Sequence, residues 1–568
     1  MRMKLVDEPK GLVILVFPKL QDPQWPLWSP LDIFAIASSL MHAGYEVCAI
    51  DDRVDPEARA KLARDLPGAL FVGIGTKFGD QLRNALAIAQ EIKAARPDVP
   101  IVMGGWFPSL FPDSVFESPH FDIAIVGPGD FCAPEVADRL LAGEGMEGVT
   151  GVYARENGAI VRNPKGHLPD IRKTVAIPWA KVGIRHFILQ HGWINLFTSR
   201  GCPGECNFCA IYCLDPRRWT ALPAERVVDD MEALQGLGAR AFKVMDTDYC
   251  ADVRRVEAIS RLILERGLRV RYEVLGRQKN LRAMTDEQVR LLRKSGCTEI
   301  EMGVEAGSQR LSDLIRKNLQ VNETAETVRR FVTYGIRIKA NFMFGIPTET
   351  EEDLNETLDL MNELLDLGHD AVRFQMFRYT PVPGGDSAVD DVWKELSRED
   401  QQELSLKELA DFPVTDMEPD RMFWIDESYE PVLRRVYYFY APLALLIDVD
   451  KAFADKPLWA RFLMLLRPLA RWRIRRHFYR FPFEKWLNDR FGHPMPHATD
   501  DGIGPHEEVL PENRDHIETF MGDTFNPRPP LEPGVSGNGT LPGAPSPKRP
   551  KREGSRPLEG ASSTPPGE

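Results

Sequence analysis

The stretch Cys202-Pro203-Gly204-Glu205-Cys206-Asn207-Phe208-Cys209 places three cysteines close together, just after an apolar run at residues 193–198. Thiolates this near to one another in sequence can converge on one metal centre. A structural zinc site needs four ligands that close its coordination, and a [4Fe–4S] cluster is normally held by four thiolates. Three cysteines would leave one iron of such a cluster without a protein ligand, and an open position of this kind is where chemistry takes place.

The Cys-x-x-x-Cys-x-x-Cys spacing, with Phe208 before the last cysteine, resembles the motif of the radical S-adenosylmethionine (SAM) enzymes. The resemblance implies that Cys202, Cys206 and Cys209 hold a [4Fe–4S] cluster whose open iron binds SAM, with Phe208 at the SAM site. It also implies reductive cleavage of SAM to a 5′-deoxyadenosyl radical that abstracts a hydrogen atom. A zinc knuckle or unrelated thiols are the alternative. Cys213 is interpreted as a packed thiol on a helix, and the other interpretation is a fourth ligand.

The composition is that of an ordinary globular protein of several domains. The chain has 568 residues, of which 43% are hydrophobic and 27% charged, and a net charge of −13; this length predicts about three or four domains. The acidic balance argues against a chain-wide surface for nucleic acid. We expect no secretory signal and no membrane span, since the longest uncharged apolar stretch, residues 436–447, is shorter than the ~20 residues required. The scattered remaining cysteines suit a reducing cytoplasm, and we expect a cytoplasmic monomer.

Residues 1–150 alternate between strand and helix patterns. The pattern predicts strands at residues 11–17, 45–50, 69–75, 101–103 and 122–126, and helices at 30–43 and 81–95. Such alternation is typical of a doubly wound parallel sheet, in which ligands bind outside the carboxyl ends of the strands. Glycine-bearing loops follow three of these strands, at residues 73–76, 104–106 and 127–130, and glycine allows a ligand to approach the backbone closely.

Together with the cysteine motif, this region resembles the Rossmann-like cobalamin-binding domain of the cobalamin-dependent radical SAM class. The resemblance rests on residues 30–31 and 44–47 and on the glycine turns. It implies a cobalamin site formed by Thr76, Lys77, Phe78, Gly104, Gly105, Gly127 and Gly129. The Asp-x-His-x-x-Gly motif that supplies a histidine to cobalt in cobalamin mutases is absent from the sequence, so we expect cobalamin without a protein histidine ligand. A domain that has lost cobalamin, and simple core packing of Phe78, are the alternatives.

Residues 151–192 are predicted to connect this domain to a second one at 193–390. Six strand patterns separated by helices predict a partial (β/α)6 barrel, whose site lies at the carboxyl ends of the strands. The predicted strands are residues 194–198, 241–245, 269–275, 299–304, 336–344 and 371–377.

The segments after these strands resemble the SAM site of the family. The resemblance implies that Asp246 and Asp248 line the SAM side of the pocket and that Arg277 reaches towards the SAM carboxylate. It further implies that Glu305 accepts hydrogen bonds from the ribose hydroxyls, and that Ile346 packs against adenine. The structural alternatives are a helix N-cap for Asp246 and an ion pair of Arg277 with Glu301 or Glu305. Residue 348 is threonine where the family usually has glycine.

Residues 391–500 are predicted to be helical and include an arginine-rich run at 461–480 interleaved with apolar residues. A basic amphipathic helix can lie on an anionic membrane surface; the alternative is a helix packed on the barrel with solvated arginines. Residues 481–484 are predicted to cover the barrel mouth. Residues 501–568 are expected to be largely disordered, because they lack the apolar groups that offset chain entropy.

The expected fold class is therefore α/β, with a Rossmann-like domain, a partial barrel and a helical C-terminal region. The resemblance implies a cobalamin-dependent radical SAM enzyme that methylates an unactivated carbon through methylcobalamin. It implies a small-molecule or peptide substrate and an external electron donor of flavodoxin or ferredoxin type. Oxidative ring closure or rearrangement without methyl transfer is the alternative within the class, and a non-catalytic iron–sulfur electron carrier is the alternative outside it. Only Cys48 and Cys132 precede the motif, which disfavours a methylthiotransferase.

Overall fold

A computed structural model describes residues 2–19, 28–185, 187–188, 193–214, 217–368, 371–379, 406–410, 425–446 and 456–491. The chain divides into two units, Met1–Phe525 and Asn526–Glu568, and every described residue belongs to the first. The predicted disordered tail at 501–568 lies outside the described residues.

The first sheet has eight strands in the order β1-β3-β2-β4-β5-β6-β7-β8. The strands are β1 (Arg2–Met3), β2 (Leu12–Phe17), β3 (Glu46–Asp51), β4 (Ala69–Thr76), β5 (Ile101–Gly105), β6 (Ile123–Ile125), β7 (Val152–Glu156) and β8 (Ala159–Arg162). Strands β3, β2, β4, β5 and β6 are parallel, and the outer strands are antiparallel. Every residue of β2 is buried, as expected of a parallel strand covered on both faces.

Five helices accompany this sheet. They are α1 (Leu31–His42), α2 (Ala58–Asp65), α3 (Asp80–Ala95), α4 (Trp106–Leu110) and α5 (Gly129–Ala142). The hairpin β7–β8, which was predicted to belong to the connecting segment, joins the sheet instead: Val152 pairs with Ile125 on β6. Because the side chains of Val152 and Ala154 are buried in the core, the hairpin covers an edge that β6 would otherwise leave open.

The second sheet has six parallel strands in the order β16-β15-β14-β13-β12-β9. Its strands are β9 (Trp193–Leu196), β12 (Ala241–Val244), β13 (Arg271–Leu275), β14 (Cys297–Glu305), β15 (Arg337–Phe344) and β16 (Val372–Arg378). A small ribbon, β10 (Ser199–Gly201) with β11 (Trp219–Ala221), lies between β9 and β12 in the chain. The predicted α/β fold is confirmed: the first sheet has a parallel centre with antiparallel outer strands, and the six strands of the second sheet are parallel.

Helices alternate with these strands. They are α6 (Ala210–Leu214), α7 (Ala224–Gly236), α8 (Val253–Glu265), α9 (Gln278–Ala283), α10 (Asp286–Lys294), α11 (Gln309–Leu314), α12 (Thr324–Thr333) and α13 (Glu351–Leu365). The amphipathic helix α10 begins with a capping box, in which Thr285 and Gln288 satisfy each other's backbone amides. Helix α13 begins with the same motif, formed by Thr350 and Asp353.

The described C-terminal residues form helices that pack on both domains. They are α14 (Leu406–Ala410), α15 (Glu430–Arg435), α16 (Pro457–Arg475) and α17 (Phe483–Phe491), and α15 continues into two π-helical turns, Val436–Tyr440 and Pro442–Leu446. Helix α14 packs against α3, and α16 packs against α13. None of the helices in the described part of the chain combines the length and apolar character that crossing a membrane requires.

Candidate active site

The cysteine loop follows the β9 edge of the second sheet and is anchored by Asp246, just past the end of β12. Oδ1 of Asp246 accepts hydrogen bonds from the backbone amides of Thr198 and Ser199, at 2.6 and 2.9 Å, and Oδ2 accepts from their hydroxyls. These four bonds use the acceptor capacity of a carboxylate, and Asp246 is fully buried. The predicted SAM contact of Asp246 is therefore wrong. The N-cap alternative does not hold either, because the carboxylate positions the base of the cysteine loop.

The loop itself is fixed on its far side by Asn207. The backbone amide of Asn207 donates to the carbonyl of Ile315 at 3.3 Å, and its side-chain amide donates to the carbonyl of Leu314 at 2.9 Å. Cys206 is buried, whereas Cys202 and Cys209 are half-buried. The backbone amide of Gly204 points at the sulfur of Cys202, 3.4 Å away. The three thiols thus lie on a loop held at both ends by bonds to the barrel.

Arg277, which follows β13, reaches this loop. Its Nη2 donates to the backbone carbonyl of Lys317 at 3.0 Å, where an ion pair with Glu301 or Glu305 was the structural alternative. A Cβ on Gly204 would lie 2.7 Å from Nη1 of Arg277 and 3.2 Å from the sulfur of Cys202. Glycine at 204 therefore makes room for the guanidinium group beside the first cysteine. Burial raises the pKa of the Cys202 thiol, and Arg277 opposes that rise.

Asp248 offers a buried acceptor next to this guanidinium group. Its Oδ2 accepts a hydrogen bond from the side chain of Asn280 at 2.7 Å, while its Oδ1 is buried with no partner among the described residues. Burial raises the pKa of Asp248 to about 6, and the charge of Arg277, its backbone amide and the side chain of Asn280 oppose the rise. An unpaired buried acceptor is costly. The pair of Asp248 and Arg277 is therefore suited to a ligand that carries both an ammonium and a carboxylate group.

Glu305 and Lys317 form a buried ion pair at the end of β14. Nζ of Lys317 donates to Oε1 of Glu305 at 2.7 Å, and Glu305 adopts a φ of 70°, a left-handed conformation that non-glycine residues rarely adopt. Burial lowers the pKa of Lys317, but Glu305 and Cys206 outweigh it and the pKa is raised. The ammonium group lies 5.9 Å from the ring centroid of Phe208. The ammonium group of Lys317 thus lies between Glu305, the residue predicted to bind the ribose, and the cysteine loop.

Phe208 and Ile346 share one small apolar cluster, as the predicted adenine contact requires. The other members are Ala306, Leu311, Leu314, Ile315, Met343 and Tyr379. Thr348 adopts a φ of 64°, so the turn keeps the left-handed conformation that glycine would provide. Nη2 of Arg310 donates to the carbonyl of Thr348 at 2.8 Å and holds it there.

Glu349 holds the same turn in place through hydrogen bonds of its carboxylate. Its Oε2 accepts from the backbone amide of Ile346 at 2.9 Å, and its Oε1 accepts from the hydroxyl of Tyr429 at 2.8 Å. Burial raises the pKa of Glu349 to about 7, although these hydrogen bonds oppose the rise. The partner Tyr429 lies 80 residues further along the chain, and no sequence signal connects the two.

Replacing Glu349 with glutamine should stabilise the protein at alkaline pH. The folded-state pKa of about 7 lies above the ordinary value of 4.5. The neutral carboxyl group of Glu349 therefore contributes fully to the free energy of unfolding below pH 4.5, and this contribution is lost as the pH rises through 7. Glutamine mimics the neutral form, and the gain should reach up to roughly 3 kcal/mol at pH 8. Urea unfolding at pH 5 and pH 8 measures it. An equal effect of the substitution at both pH values would contradict the assignment.

Charged side chains fill the interior of the barrel beneath this site. Nζ of Lys243 lies 3.7 Å from Glu273 and 3.5 Å from Glu301, and Lys339 lies 3.9 Å from Glu301. The ammonium group of Lys243 also lies 5.2 Å from the ring centroid of Trp28. The sequence analysis missed this group, although the alternation of charged residues within β14 and β15 is visible in the sequence. Because these ion pairs fill the lower interior, a substrate has to enter from the carboxyl edge.

The glycine loops of the first sheet lie together at its carboxyl edge. The Thr76 hydroxyl donates to the carbonyl of Gly104 at 3.0 Å, Ser109 Oγ donates to the carbonyl of Gly105 at 2.6 Å, and the amide of Gly127 donates to Ser109 Oγ at 2.9 Å. A Cβ on Gly104 or Gly127 would meet no atom within 4 Å. These two glycines therefore border open space, whereas a Cβ on Gly105 would lie 2.5 Å from the carbonyl oxygen of Thr76.

Two of the residues predicted to contact cobalamin also take part in packing. The ring of half-buried Phe78 packs edge-on against Phe107 and Phe111, with centroids 5.9 and 5.8 Å apart. This favours the alternative of core packing, and its contact with cobalamin stays a prediction. A Cβ on Gly129 would lie 3.3 Å from Ile36 on α1, so glycine there allows α5 to pack closely on α1. Lys77 is exposed at the same edge and remains a proposed cobalamin contact.

The glycine-bearing edge of the first sheet faces the cysteine loop of the second. Helix α4, which begins directly after Gly105, packs against α6, which begins directly after Cys209. Arg200 on β10 forms a bidentate ion pair with Asp130 in the first turn of α5, and both N–O distances are 2.9 Å. The two predicted cofactor sites therefore adjoin across one interface.

Comparison with known proteins agrees with this arrangement. The family model of the radical SAM superfamily matches residues 196–361, and that of the B12 binding domain matches residues 26–137. The chain therefore combines a B12 binding domain with a radical SAM domain, the domain pair of the cobalamin-dependent radical SAM enzymes. An uncharacterized methyltransferase of Pyrococcus horikoshii is 25% identical to this enzyme over 318 residues, which cover 55% of the chain and 67% of the relative.

Other relatives of the enzyme carry different activities. The anaerobic magnesium-protoporphyrin IX monomethyl ester cyclase of Rubrivivax gelatinosus is 25% identical over 411 residues, which cover 70% of the chain and 71% of the relative. The solved radical SAM methyltransferase TsrM of Kitasatospora setae, with cobalamin and a [4Fe–4S] cluster bound, is 21% identical, with a TM-score of 0.56. The match covers 65% of this enzyme and 73% of TsrM, and it shows a shared fold.

The residues present fit the three cofactors of the family, which are a [4Fe–4S] cluster, SAM and cobalamin. Among the described residues, no three His, Cys, Asp or Glu side chains meet at a point suited to a single metal ion. A cubane binds each thiolate at a different iron, so a loop with three separate thiols suits it. The open space at Gly104 and Gly127 suits a corrin, and the unpaired Oδ1 of Asp248 suits the SAM amino group.

Proposed function

We propose that this radical SAM enzyme methylates an unactivated carbon of a small-molecule substrate. The observation that carries the proposal is the contact of α4 with α6, which joins the open glycine edge to the cysteine loop. When bound, the cluster supplies the electron that cleaves SAM, and cobalamin supplies the methyl group. The protein contributes the geometry and the exclusion of water. The methyltransferase relative supports this function, and the cyclase relative keeps ring closure without methyl transfer as the second candidate.

SAM labelled in its methyl group tests the proposal without knowledge of the substrate. The anaerobically reconstituted, cobalamin-loaded enzyme is reduced and given labelled SAM, and 5′-deoxyadenosine, S-adenosylhomocysteine and the label on cobalamin are then measured. Methyl transfer predicts all three. 5′-Deoxyadenosine with unlabelled cobalamin would favour the ring-closure or rearrangement candidate, and no 5′-deoxyadenosine at all would favour an electron carrier.

We further propose how the chain binds SAM. Oδ1 of Asp248 accepts a hydrogen bond from the amino group, and Arg277 pairs with the carboxylate, because these two charges lie together beside Cys202. Glu305 accepts hydrogen bonds from the ribose hydroxyls. Phe208 and Ile346 pack against adenine in their shared apolar cluster. In this scheme Glu349 is a positioning residue that holds the backbone of the adenine turn.

Substituting the two neighbouring aspartates should separate binding from folding. Asp248→Asn removes the negative charge that the ammonium group of SAM would pair with and replaces one acceptor oxygen by an NH2 donor. It should weaken SAM binding by about ten- to a hundredfold, since hydrogen bonds to charged groups are worth ~1.5–3 kcal/mol, while the melting temperature hardly changes. Asp246→Asn is the matched control. It breaks two of four buried hydrogen bonds and should lower the melting temperature by several degrees.

Equilibrium dialysis of SAM and thermal unfolding of both variants provide the test. If Asp246→Asn weakened SAM binding without destabilising the fold, or if Asp248→Asn bound SAM like the wild type, the assignment of the two aspartates would be reversed.

Three features of the working enzyme are also proposals. Cleavage of SAM needs an electron, so we propose an external donor of flavodoxin or ferredoxin type. Cys48, Cys132, Cys250 and Cys297, which lie outside the motif, are free thiols, and this favours a reducing compartment such as the cytoplasm. We also propose that the enzyme is a monomer.

A further inference from the structure

The C-terminal helices carry most of the exposed apolar side chains of the molecule. Fourteen large apolar side chains are exposed in the described part of the chain, and nine of them fall between residues 458 and 486. We call this surface the arginine–aromatic face. Its apolar members are Leu458, Met464, Leu465, Leu469, Trp472, Phe478, Phe481, Phe483 and Trp486. A cluster of this kind marks an interaction site, whereas single exposed apolar residues do not.

Helix α16 is apolar on two opposite faces. Leu463, Ala470 and Ile474 are buried on the face that packs against the rest of the protein. Leu465 and Trp472, seven residues apart and thus on one helix stripe, lie on the opposite face and are 78% and 49% exposed. A helix that only covered the barrel would carry polar residues there. The predicted packing on the barrel is therefore correct for one face and leaves the other face unexplained.

The turn between α16 and α17 is built to hold aromatic rings out of the protein. Arg473 is buried in an ion pair with Glu484, and its remaining donors bind the carbonyls of Phe478, Arg480 and Phe481 at 2.8–3.0 Å. The turn includes a residue with unfavourable backbone geometry, Phe481, with a φ of 52°. Such a conformation persists only where the surroundings impose it. The side chain that it presents, that of Phe481, is 82% exposed.

The charged residues along α16 and the turn that follows it are all basic, although Asp359 and Asp366 lie beside His477 and Arg475. Residues 456–483 contain eight lysines and arginines and no aspartate or glutamate, although the whole chain has a net charge of −13. Arg461, Arg475, Arg476 and Arg480 are exposed among the apolar side chains. One of them, Arg475, lies 3.7 Å from Asp366, but both side chains are more than 60% exposed, and exposed pairs of this kind contribute little. The face therefore combines apolar rings with a cationic rim.

We propose that the arginine–aromatic face docks on an anionic lipid surface, with α16 lying in the plane of the membrane interface. Exposed aromatic and leucine side chains enter the boundary between headgroups and acyl chains, and the arginines pair with lipid phosphates. A second copy of the chain fits less well, because a two-fold contact would place the same cationic residues against each other. The inference does not depend on the proposed methylation, since docking requires no turnover.

Vesicle flotation with the full-length protein tests the proposal. The protein should float with vesicles of phosphatidylcholine and phosphatidylglycerol and remain behind with vesicles of phosphatidylcholine alone. High salt should release it, since the screening length falls from about 10 Å at 0.1 M to about 3 Å at 1 M. Arg476→Ser and Arg480→Ser should each weaken binding about fivefold. Phe481→Ser combined with Trp486→Ser should weaken it at least tenfold.

Matched controls come from exposed residues elsewhere. Leu141→Ser removes an apolar side chain that is 49% exposed, and Arg254→Ser removes an exposed arginine at the start of α8; both variants should bind like the wild type. Equal binding to neutral vesicles, or no flotation of the wild type, would overturn the proposal. A dimer that Phe481→Ser dissociates, without vesicle binding, would assign the face to a second copy and overturn it as well.

Discussion

Replacing Cys206 with serine is expected to abolish the formation of 5′-deoxyadenosine. Cys206 is the buried member of the three motif cysteines, and it lies near Lys317, whose pKa is raised by Glu305 and, to a smaller extent, by Cys206 against the effect of burial. Loss of one of three thiolates leaves two irons without a protein ligand, so the cluster should not assemble. We expect the absorbance of the reconstituted cluster to disappear and SAM cleavage to fall at least ~100-fold, more than is typical for a residue that only supports a ligand.

Cys213→Ser is the matched control, because it removes a thiol four residues beyond the motif. This variant should reconstitute a four-iron cluster and cleave SAM at the wild-type rate. Loss of the cluster in Cys213→Ser would mean that a fourth thiolate closes the site. That result would refute the hypothesis that one iron of the cluster has no protein ligand, on which the assignment depends.

Replacing Gly104 with leucine is expected to abolish methyl transfer without stopping the cleavage of SAM. A Cβ at this position meets no atom within 4 Å, so a side chain can begin here without a clash at Cβ, and we expect the leucine to extend into the space proposed for the corrin. An overpacked contact typically costs ~1–3 kcal/mol, so cobalamin should bind about 10- to 100-fold more weakly. Methyl transfer should be lost while 5′-deoxyadenosine continues to form, since the SAM residues lie on the other sheet.

Gly236→Leu provides the matched control, since a Cβ at the last residue of α7 likewise meets no atom within 4 Å. It should bind cobalamin and transfer methyl groups like the wild type. Cobalamin titration followed by absorbance, together with 5′-deoxyadenosine analysis, distinguishes the two variants. Wild-type cobalamin affinity in Gly104→Leu would show that the corrin does not lie over this edge.

Patterns that are local in sequence could be predicted with little error. The predicted strand at residues 241–245 is observed as Ala241–Val244, and the predicted helix at 81–95 is observed as Asp80–Ala95, because hydrophobic periodicity reports directly on burial. The cysteine motif is equally local, since its three thiols lie on one loop whatever surrounds them. These local signals predicted two sheets with parallel strands, and the family resemblance that they carry implied the cofactors.

The roles of single side chains were harder to predict, because partners distant in sequence decide them. Asp246 and Asp248 are two residues apart and were given the same role, yet Asp246 is fully bonded to Thr198 and Ser199, whereas Asp248 keeps an unpaired oxygen. Phe78 was assigned to cobalamin, but its ring packs against Phe107 and Phe111. The hydrogen bond of Glu349 to Tyr429 also joins distant segments.

The sequence by itself determined which chemistry this chain supports, because thiol spacing, glycine loops and strand periodicity are properties of short segments. Only the tertiary structure decided which carboxylates remain available for a ligand and which glycines border open space. It also showed that the arginine-rich helix turns one apolar face inward and another outward. These properties depend on which atoms meet after folding, since a polar group can serve a ligand only if the folded chain has not already satisfied it.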